Sequence, residues 1–488
     1  MRRFLVVYGL FLIFVLVTYR GWGISWDEEF YKDSGKFYLS NFWAPWGMIA
    51  EKIPEYHALS HGAVIDVLYY LPLKWWGKED RFEDLHLTKG LVGSVTLVMV
   101  YLSLREMMGK KSWGPVVGMM LLATYPRWGG DVFDNFMDGS AALIYALEIW
   151  LAVKAVMSKG GRWWLALAVS GAIGFSHRVA LVIVPLLATV VLARQWGKKG
   201  WPKLGVMALV FYGGLWLVDP YIRTHGLVGI DRKVSMSADY FVYRGAQLFE
   251  GKYIFAKNLP WYYLPKWVGI TTPLGTLILG AVGLGVMKKW QRVVLGGAIL
   301  VPIAGAMLLR PVLYDGWRVF LFLSVPLAMI AAWGWEWLWQ RGKLVYRYLA
   351  LGLLVATISL SVKAMVELHP YEYVYFNQLV GGLKGASGQY ETDYWGKTNR
   401  EAVLWFRSNV AVEPQARYRV KTCATKHSAT YFFDANMVWV PSLTEADYFI
   451  CFTKHDEHKA VTDENTLYVV RRQGVPLNYI KKVERISK

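Results

Sequence analysis

Two cysteines in 488 residues allow at most one bridge and cannot build a disulfide framework or a four-cysteine metal site. The chain also lacks an H-E-x-x-H helix and a phosphate-cradling G-x-x-x-x-G-K-[S/T] loop, which argues against hydrolytic zinc and P-loop nucleotide chemistry. Internal repeats and low-complexity linkers are missing too. Acidic residues are scarce, 36 against 54 Lys and Arg, for a formal charge of +18. Apolar matter is abundant instead: 55% of the residues are hydrophobic, with 25 Trp and 30 Tyr. Such a composition reads as a polytopic membrane protein.

The positive charge has a topological explanation. Basic residues cluster in "MRR", "REMMGKK", "KAVMSKGGR", "RQWGKKGWPK", "KKWQR" and "RGKLVYR", at alternate loops between apolar runs. These hold about 18 Lys or Arg, as the positive-inside rule requires, and no nucleic acid partner is expected. Apolar runs near 4–19, 86–105, 113–126, 139–157, 163–177, 179–194, 204–218, 264–287, 293–309, 318–339 and 345–362 predict about eleven transmembrane helices. No small-residue cleavage pattern follows the first, so it reads as a retained span with the N terminus in the cytoplasm. Loops on the opposite side are rich in Asp, Trp, Tyr and Pro. The first, about 20–85, contains "EYHALSHGAVIDVLYYLPLKWW", patterned like one helix lying in the interface.

The reading divides the chain into a membrane domain, 1–362, and a small extracytoplasmic α/β domain, 363–488. In the latter "RYRVKTCA", "MVWVPS", "DYFICFT" and "TLYVVRR" read as strands, and "TNREAVLWFRSNV" and "KHSATYFFDA" as helices. Cys423 and Cys451 fall on two of those strands. Two buried thiols are preferred there over a bridge, because sequence gives no Cα separation.

Chemistry-bearing residues gather on the outer side. Asp27, Glu28 and Glu29 follow the first span beside Trp22 and Trp26. A carboxylate held near lipid is partly desolvated, which raises its pKa and makes Asp27 or Glu28 a proton acceptor; the bland alternative is a solvated helix start. "YPRWGGDVFDNFMDG" brings Arg127, Asp131, Asp134, Asn135 and Asp138 into a short turn, fit to position a substrate, orient Arg127 or ligate a divalent cation, unless Asp134 or Asp138 merely caps the next helix. "FSHRVALVIVP" places His177 and Arg178 at a tight turn, and "LYDGWRVF" places Asp315 near Arg318. Arginine forks suit phosphate, with snorkelling at a helix end as the alternative. Glu148 lies in mid-span, facing a partner helix or a cavity. His57 and His61 share a helix face, yet lack an obvious third metal ligand.

These pieces, with "LPWYYLPKWVGITTPL" and "HPYEYVYFNQLVGG…GQYETDYWG", resemble the GT-C superfamily over most of residues 1 to about 410. Within it the likeness is to protein O-mannosyltransferases and aminoarabinose transferases of glycosyltransferase family 39. The resemblance implies inverting transfer of a sugar from a polyprenyl-phosphate carrier to an acceptor (protein, lipid or polymer) on the outer face of the cytoplasmic membrane. No cofactor is required, and the cation question stays open. Asp27 matches the catalytic carboxylate of the family and Glu28 its companion acid. Arg178 and Arg318 fall where cations hold the carrier phosphate, whereas the lysine that relatives often carry in the second loop is Met137 here. The alternatives are a transporter or flippase of a lipid-linked polar molecule, which tends to show repeats and broken helices, and a non-catalytic scaffold.

Overall fold

Proline and glycine decide where the long apolar runs break. The computed structural model describes residues 2–77, 81–158, 161–238, 243–423 and 426–484. Lys159 and Gly160 of one basic loop, Ala424 at the end of one sequence-predicted strand, and 485–488 lie outside them. Each of the eleven apolar runs is helical, but their lengths differ. Among the described residues, six helical stretches are long and apolar enough to cross a membrane: Phe82–Met108, Phe136–Met157, Val179–Val218, Lys289–Leu309, Arg318–Gln340 and Leu344–Leu368. Val179–Val218 covers two sequence-predicted spans and turns at Gly197, which takes φ +59°. Arg2–Thr18 and Trp163–His177 are shorter apolar helices. The last long helix runs past 362 to Leu368.

The run 264–287 is not one helix. It bends by 113° between Tyr263–Thr271 and Leu274–Val286, because Pro273 lacks an N–H and forces Thr272 out of helical conformation. The carbonyls freed at Gly269 and Thr272 accept hydrogen bonds from the Asn377 side-chain amide at 2.7 and 2.6 Å, so the break is satisfied internally. Phe136–Met157 and Arg318–Gln340 are 72% and 78% buried and form the centre of the bundle; Val179–Val218 and Leu344–Leu368, each 33% buried, are peripheral.

Two local expectations change. The sequence-predicted interface helix 55–76 is two helices, Glu55–Ser60 and Ala63–Trp76. They part at Gly62, whose Cα lies so close to the backbone of His177 that a Cβ would approach it to 3.1 Å. "PRWGGDVFD" is a buried helix, Pro126–Asp134, with proline in its first turn. Gly130 there permits close approach to the backbone of Tyr373. The helix after it is capped by Asn135, which accepts from the Met137 N–H at 2.8 Å, and not by Asp134 or Asp138.

β1 (Ala246–Phe249) and β2 (Lys252–Phe255) form an antiparallel hairpin, bridged to Tyr390 at Phe249. The C-terminal sheet domain holds β3 (Tyr418–Thr422), β4 (Met437–Trp439), β5 (Tyr448–Phe452), β6 (Thr466–Arg472) and β7 (Val475–Lys482), in the order β4-β3-β5-β7-β6. β3 runs parallel to β4 and β5, and β7 runs antiparallel to β5 and β6. The helix read from "TNREAVLWFRSNV" is Asn399–Asn409; that read from "KHSATYFFDA" shrinks to His427–Thr430. β7 escaped the sequence reading, although Gln473-Gly474, both at positive φ, is a tight-hairpin signal. The preference for free thiols is also corrected: Cys423 and Cys451 form a disulfide between the ends of neighbouring strands, Cα atoms 4.9 Å apart.

That bridge closes a loop of sequence separation 28, which corresponds to about 3 kcal/mol of chain-entropy stabilisation. Replacing both cysteines by serine is expected to speed amide exchange across β3 and β5 while leaving the helical bundle unchanged. Equal protection in the two proteins would contradict this.

Candidate active site

Helical geometry splits the three consecutive acids after the first span. Asp27 stands at the N-cap of the helix Glu28–Asn41, and its carboxyl makes no capping bond. Its side chain stays 35% exposed, into a cavity deep in the protein. Glu28 turns the other way and is buried. It accepts from the Ser25 N–H at 2.9 Å and pairs with Lys89 at 2.9 Å and His86 at 3.4 Å. Burial pushes Glu28 up, but Lys89 and His86 overcome it and hold the carboxyl well below the usual range. Glu29 points to the sheet domain, 3.3 Å from His427 Nδ1.

The cavity encloses about 420 Å³. Asp27, Arg178 and Arg318 line it, with Tyr31, His57, His61, Tyr243 and Tyr314. An apolar wall of Leu59, Val179, Ala180, Leu313, Val319 and Phe320 completes it. Behind the wall, buried Asp138 holds both arginines: one carboxylate oxygen pairs with Arg178 and the other lies 3.5 Å from Arg318. Arg178 also donates to the Val319 carbonyl at 2.6 Å. Arg318 stacks on Trp395 at 4.3 Å and on Tyr314 at 4.9 Å, and its Nε is 3.4 Å from Asp315. Its Nη2 comes within 3.9 Å of Asp27. The "LYDGWR" turn produces this: Asp315 and Gly316 both take positive φ, and a Cβ at Gly316 would crowd Arg127 and the ring of Trp267. Burial raises the Asp27 pKa; Arg318 opposes the rise, Asp315 and Asp138 add to it, Lys454 opposes it, and the net shift is upward.

Of the other sequence-predicted residues, His57 and His61 line the cavity, whereas His177, Arg127, Asp131, Asp134, Asp138 and Asp315 do not reach it. His177 is buried, its Nε2 between the Met137 carbonyl (2.9 Å) and Ser140 Oγ (3.2 Å). Arg127 sits in an aromatic box of Trp267, Phe376 and Tyr394. Asp131 accepts from the Tyr394 hydroxyl at 3.4 Å, and Asp134 pairs with Lys397. Asp138 and Asp315 act one layer behind the arginines. Glu148 packs against Gly174, and among the described residues neither of its oxygens has a hydrogen-bond partner. His57 is engaged by Asp66 at 2.7 Å; among the described residues the sole metal-competent grouping is Cys423, Cys451 and Glu457, whose two sulfurs are bonded to each other.

Sequence reasoning missed Lys89, Lys397 and Lys454, three buried lysines answering Glu28, Asp134 and Asp315. A lysine whose partner lies on a distant segment of the chain leaves no local signature. "ETDYWGK" was recognisable without a role; the structure supplies one. Asp393 accepts from the Tyr373 hydroxyl at 2.8 Å and from the N–H groups of Trp395 and Gly396 at 3.1 and 2.9 Å, a turn that lays Trp395 under Arg318 and aims Lys397 at Asp134.

Known proteins share this architecture. Residues 79–216 match the family model for dolichyl-phosphate-mannose-protein mannosyltransferase. Among solved structures, ArnT from Cupriavidus metallidurans bound to undecaprenyl phosphate superposes with a TM-score of 0.52 at 11% identity, covering 96% of this chain and 97% of that one. The chain has the GT-C fold. A second match is the archaeal oligosaccharyltransferase AglB from Archaeoglobus fulgidus, in complex with an inhibitory peptide and a dolichol-phosphate, with a TM-score of 0.50, 13% identity and 92% and 69% coverage. No curated protein matches by sequence.

The two neighbouring acids are expected to separate experimentally. Glu28→Gln strips Lys89 of its buried partner and should cost about 3–5 kcal/mol, seen as a lower melting temperature. Asp27→Asn should melt close to the parent. Equal melting temperatures for all three proteins would contradict the placement of Glu28.

Proposed function

We propose that this GT-C protein is an inverting glycosyltransferase that moves a hexose-type sugar from a polyprenyl-phosphate carrier to an acceptor hydroxyl or amine. The observation that carries this reading is the convergence of Asp27, Arg178 and Arg318 on one cavity with an apolar wall. An amphiphilic donor fits such a chamber, its prenyl chain along the apolar side and its phosphate between guanidinium groups. ArnT was solved with undecaprenyl phosphate bound and AglB with a dolichol-phosphate, ligands of the expected chemistry.

In the proposed step the acceptor attacks the anomeric carbon and Asp27 takes its proton. The bond from that carbon to the phosphate oxygen breaks, and Arg178 and Arg318 meet the charge left on the phosphate. Attack opposite the leaving group inverts the anomeric centre. Two guanidinium groups supply the electrostatic stabilisation, so the reading assigns no step to a metal. It places the cavity and the sheet domain on the outer face of the cytoplasmic membrane, where the Cys423–Cys451 bridge suits an oxidising compartment. A transporter would be expected to break its helices at the binding site; the break at Thr272–Pro273 lies off the cavity.

Purified protein given a labelled polyprenyl-phosphate sugar should release polyprenyl phosphate, and Asp27→Asn should slow release about 10²–10⁴-fold. A base works only when ionised, so the raised pKa of Asp27 predicts that the rate falls on the acid side with an inflection above the ordinary 3.8. Turnover by Asp27→Asn at the parental rate would refute the assignment.

A further inference from the structure

The sheet domain reaches the layer behind the cavity through the side chain of Lys454. Directly after β5, Lys454 is buried with its Nζ 2.6 Å from Asp315 Oδ1 and 4.2 Å from the ring centre of Trp26, next to Asp27. The two residues that follow, His455 and Asp456, both adopt left-handed backbone conformations at φ 55° and 57°. Neither is glycine, so this turn carries strain that the surrounding packing must offset. The disulfide at Cys451, three residues before Lys454, ties the same strand to β3.

Asp315 has two oxygens and two cationic neighbours. Oδ1 faces Lys454, while Oδ2 lies 3.4 Å from Arg318 Nε. Without the lysine, the whole carboxylate charge would fall to Arg318 and draw its fork from the cavity. We infer that Lys454 is a positioning residue of the site: by engaging Asp315 it leaves Arg318 free to meet the carrier phosphate, which makes the sheet domain part of the catalytic unit. The inference rests on the transferase reading of the same cavity.

Lys454 acts on other carboxyls as well. It opposes the upward push of burial on Glu391, which reaches about 7 even so, and on Asp27. Asp27 is faced by Arg318 and Lys454, which favour its ionised form, by Asp315 and Asp138, which oppose it, by the hydroxyls of Tyr31 and Tyr314, and by Arg178 across the cavity. A lysine that only holds the fold together would leave the titration of Asp27 where it is.

The test compares the full-length parent with Lys454→Gln, Lys454→Arg, Asp315→Asn and the Asp315→Asn/Lys454→Gln pair, in detergent. Two readouts are taken: the acid inflection of turnover, and the affinity for undecaprenyl phosphate with undecaprenol as the uncharged control. Lys454→Gln should move the inflection to higher pH and weaken undecaprenyl phosphate binding about tenfold, with undecaprenol unaffected and Lys454→Arg near the parent. Should Lys454→Gln alone fail to fold, the pair, which leaves no lone buried carboxylate, must bind undecaprenyl phosphate as Asp315→Asn does, because without the Asp315 charge the lysine has nothing to hold off Arg318; a further loss of affinity in the pair overturns the inference. An unchanged inflection and unchanged affinity overturn the inference while the transferase reading stands. If the parent transfers no sugar, that reading falls, and the binding arm decides on Lys454: equal affinity of parent and Lys454→Gln overturns its role.

Discussion

Two guanidinium groups can face one small cavity only if negative charge stands behind them. At a separation of 4 Å, like charges repel by about 4 kcal/mol at an effective dielectric constant of roughly 20. In this protein the buried carboxylate of Asp138 takes one arginine on each oxygen. It anchors Arg178, at the end of one helix, to Arg318, at the start of another, and its own helix Phe136–Met157 is central to the bundle. Asp138 thereby fixes the spacing of the pair before any ligand arrives. An anion entering the cavity meets donors already oriented, which is the condition for electrostatic stabilisation without reorganisation.

The same principle recurs around the cavity. Three buried lysines each have a carboxylate, and each pair joins segments distant in the chain: Lys89 with Glu28, Lys397 with Asp134, Lys454 with Asp315. Lone buried charges are costly, so these pairs act as registration pins between the bundle, the first loop and the sheet domain. Asp27 differs from its neighbours. It is the acid of the "WDEE" stretch that keeps a carboxyl open to the cavity, and burial among like charges is what tunes it toward proton acceptance.

Much of this was legible because it is local. Apolar runs marked the helices, and "SHR" and "LYDGWR" marked Arg178 and Arg318 as cations at helix ends on one face. The position after the first span marked Asp27 and Glu28 together, and the resemblance to family 39 glycosyltransferases pointed to Asp27. What stayed hidden depends on long-range pairing. Three successive acids give no hint of which faces the cavity, since that follows from a helix whose inner side meets Lys89 and His86. Lys454 and Asp315 are separated by 139 positions, and Lys397 and Asp134 by 263. The oxygen-rich 131–138 stretch looked like a ligand cluster, but as the helix Pro126–Asp134 and its successor it divides its carboxyls among separate partners. Met137 in the same stretch is taken up by structure through its backbone: its carbonyl lies 2.9 Å from His177 Nε2.

Catalysis of the proposed kind depends on where an anionic lipid head settles. A structure of the protein in complex with undecaprenyl phosphate measures that directly. The phosphate is expected within hydrogen-bond distance of both Arg178 and Arg318, its prenyl chain against Val179, Leu313 and Phe320, and Asp27 open beside it. A phosphate bound elsewhere on the protein, with the cavity between Asp27, Arg178 and Arg318 vacant, would contradict it.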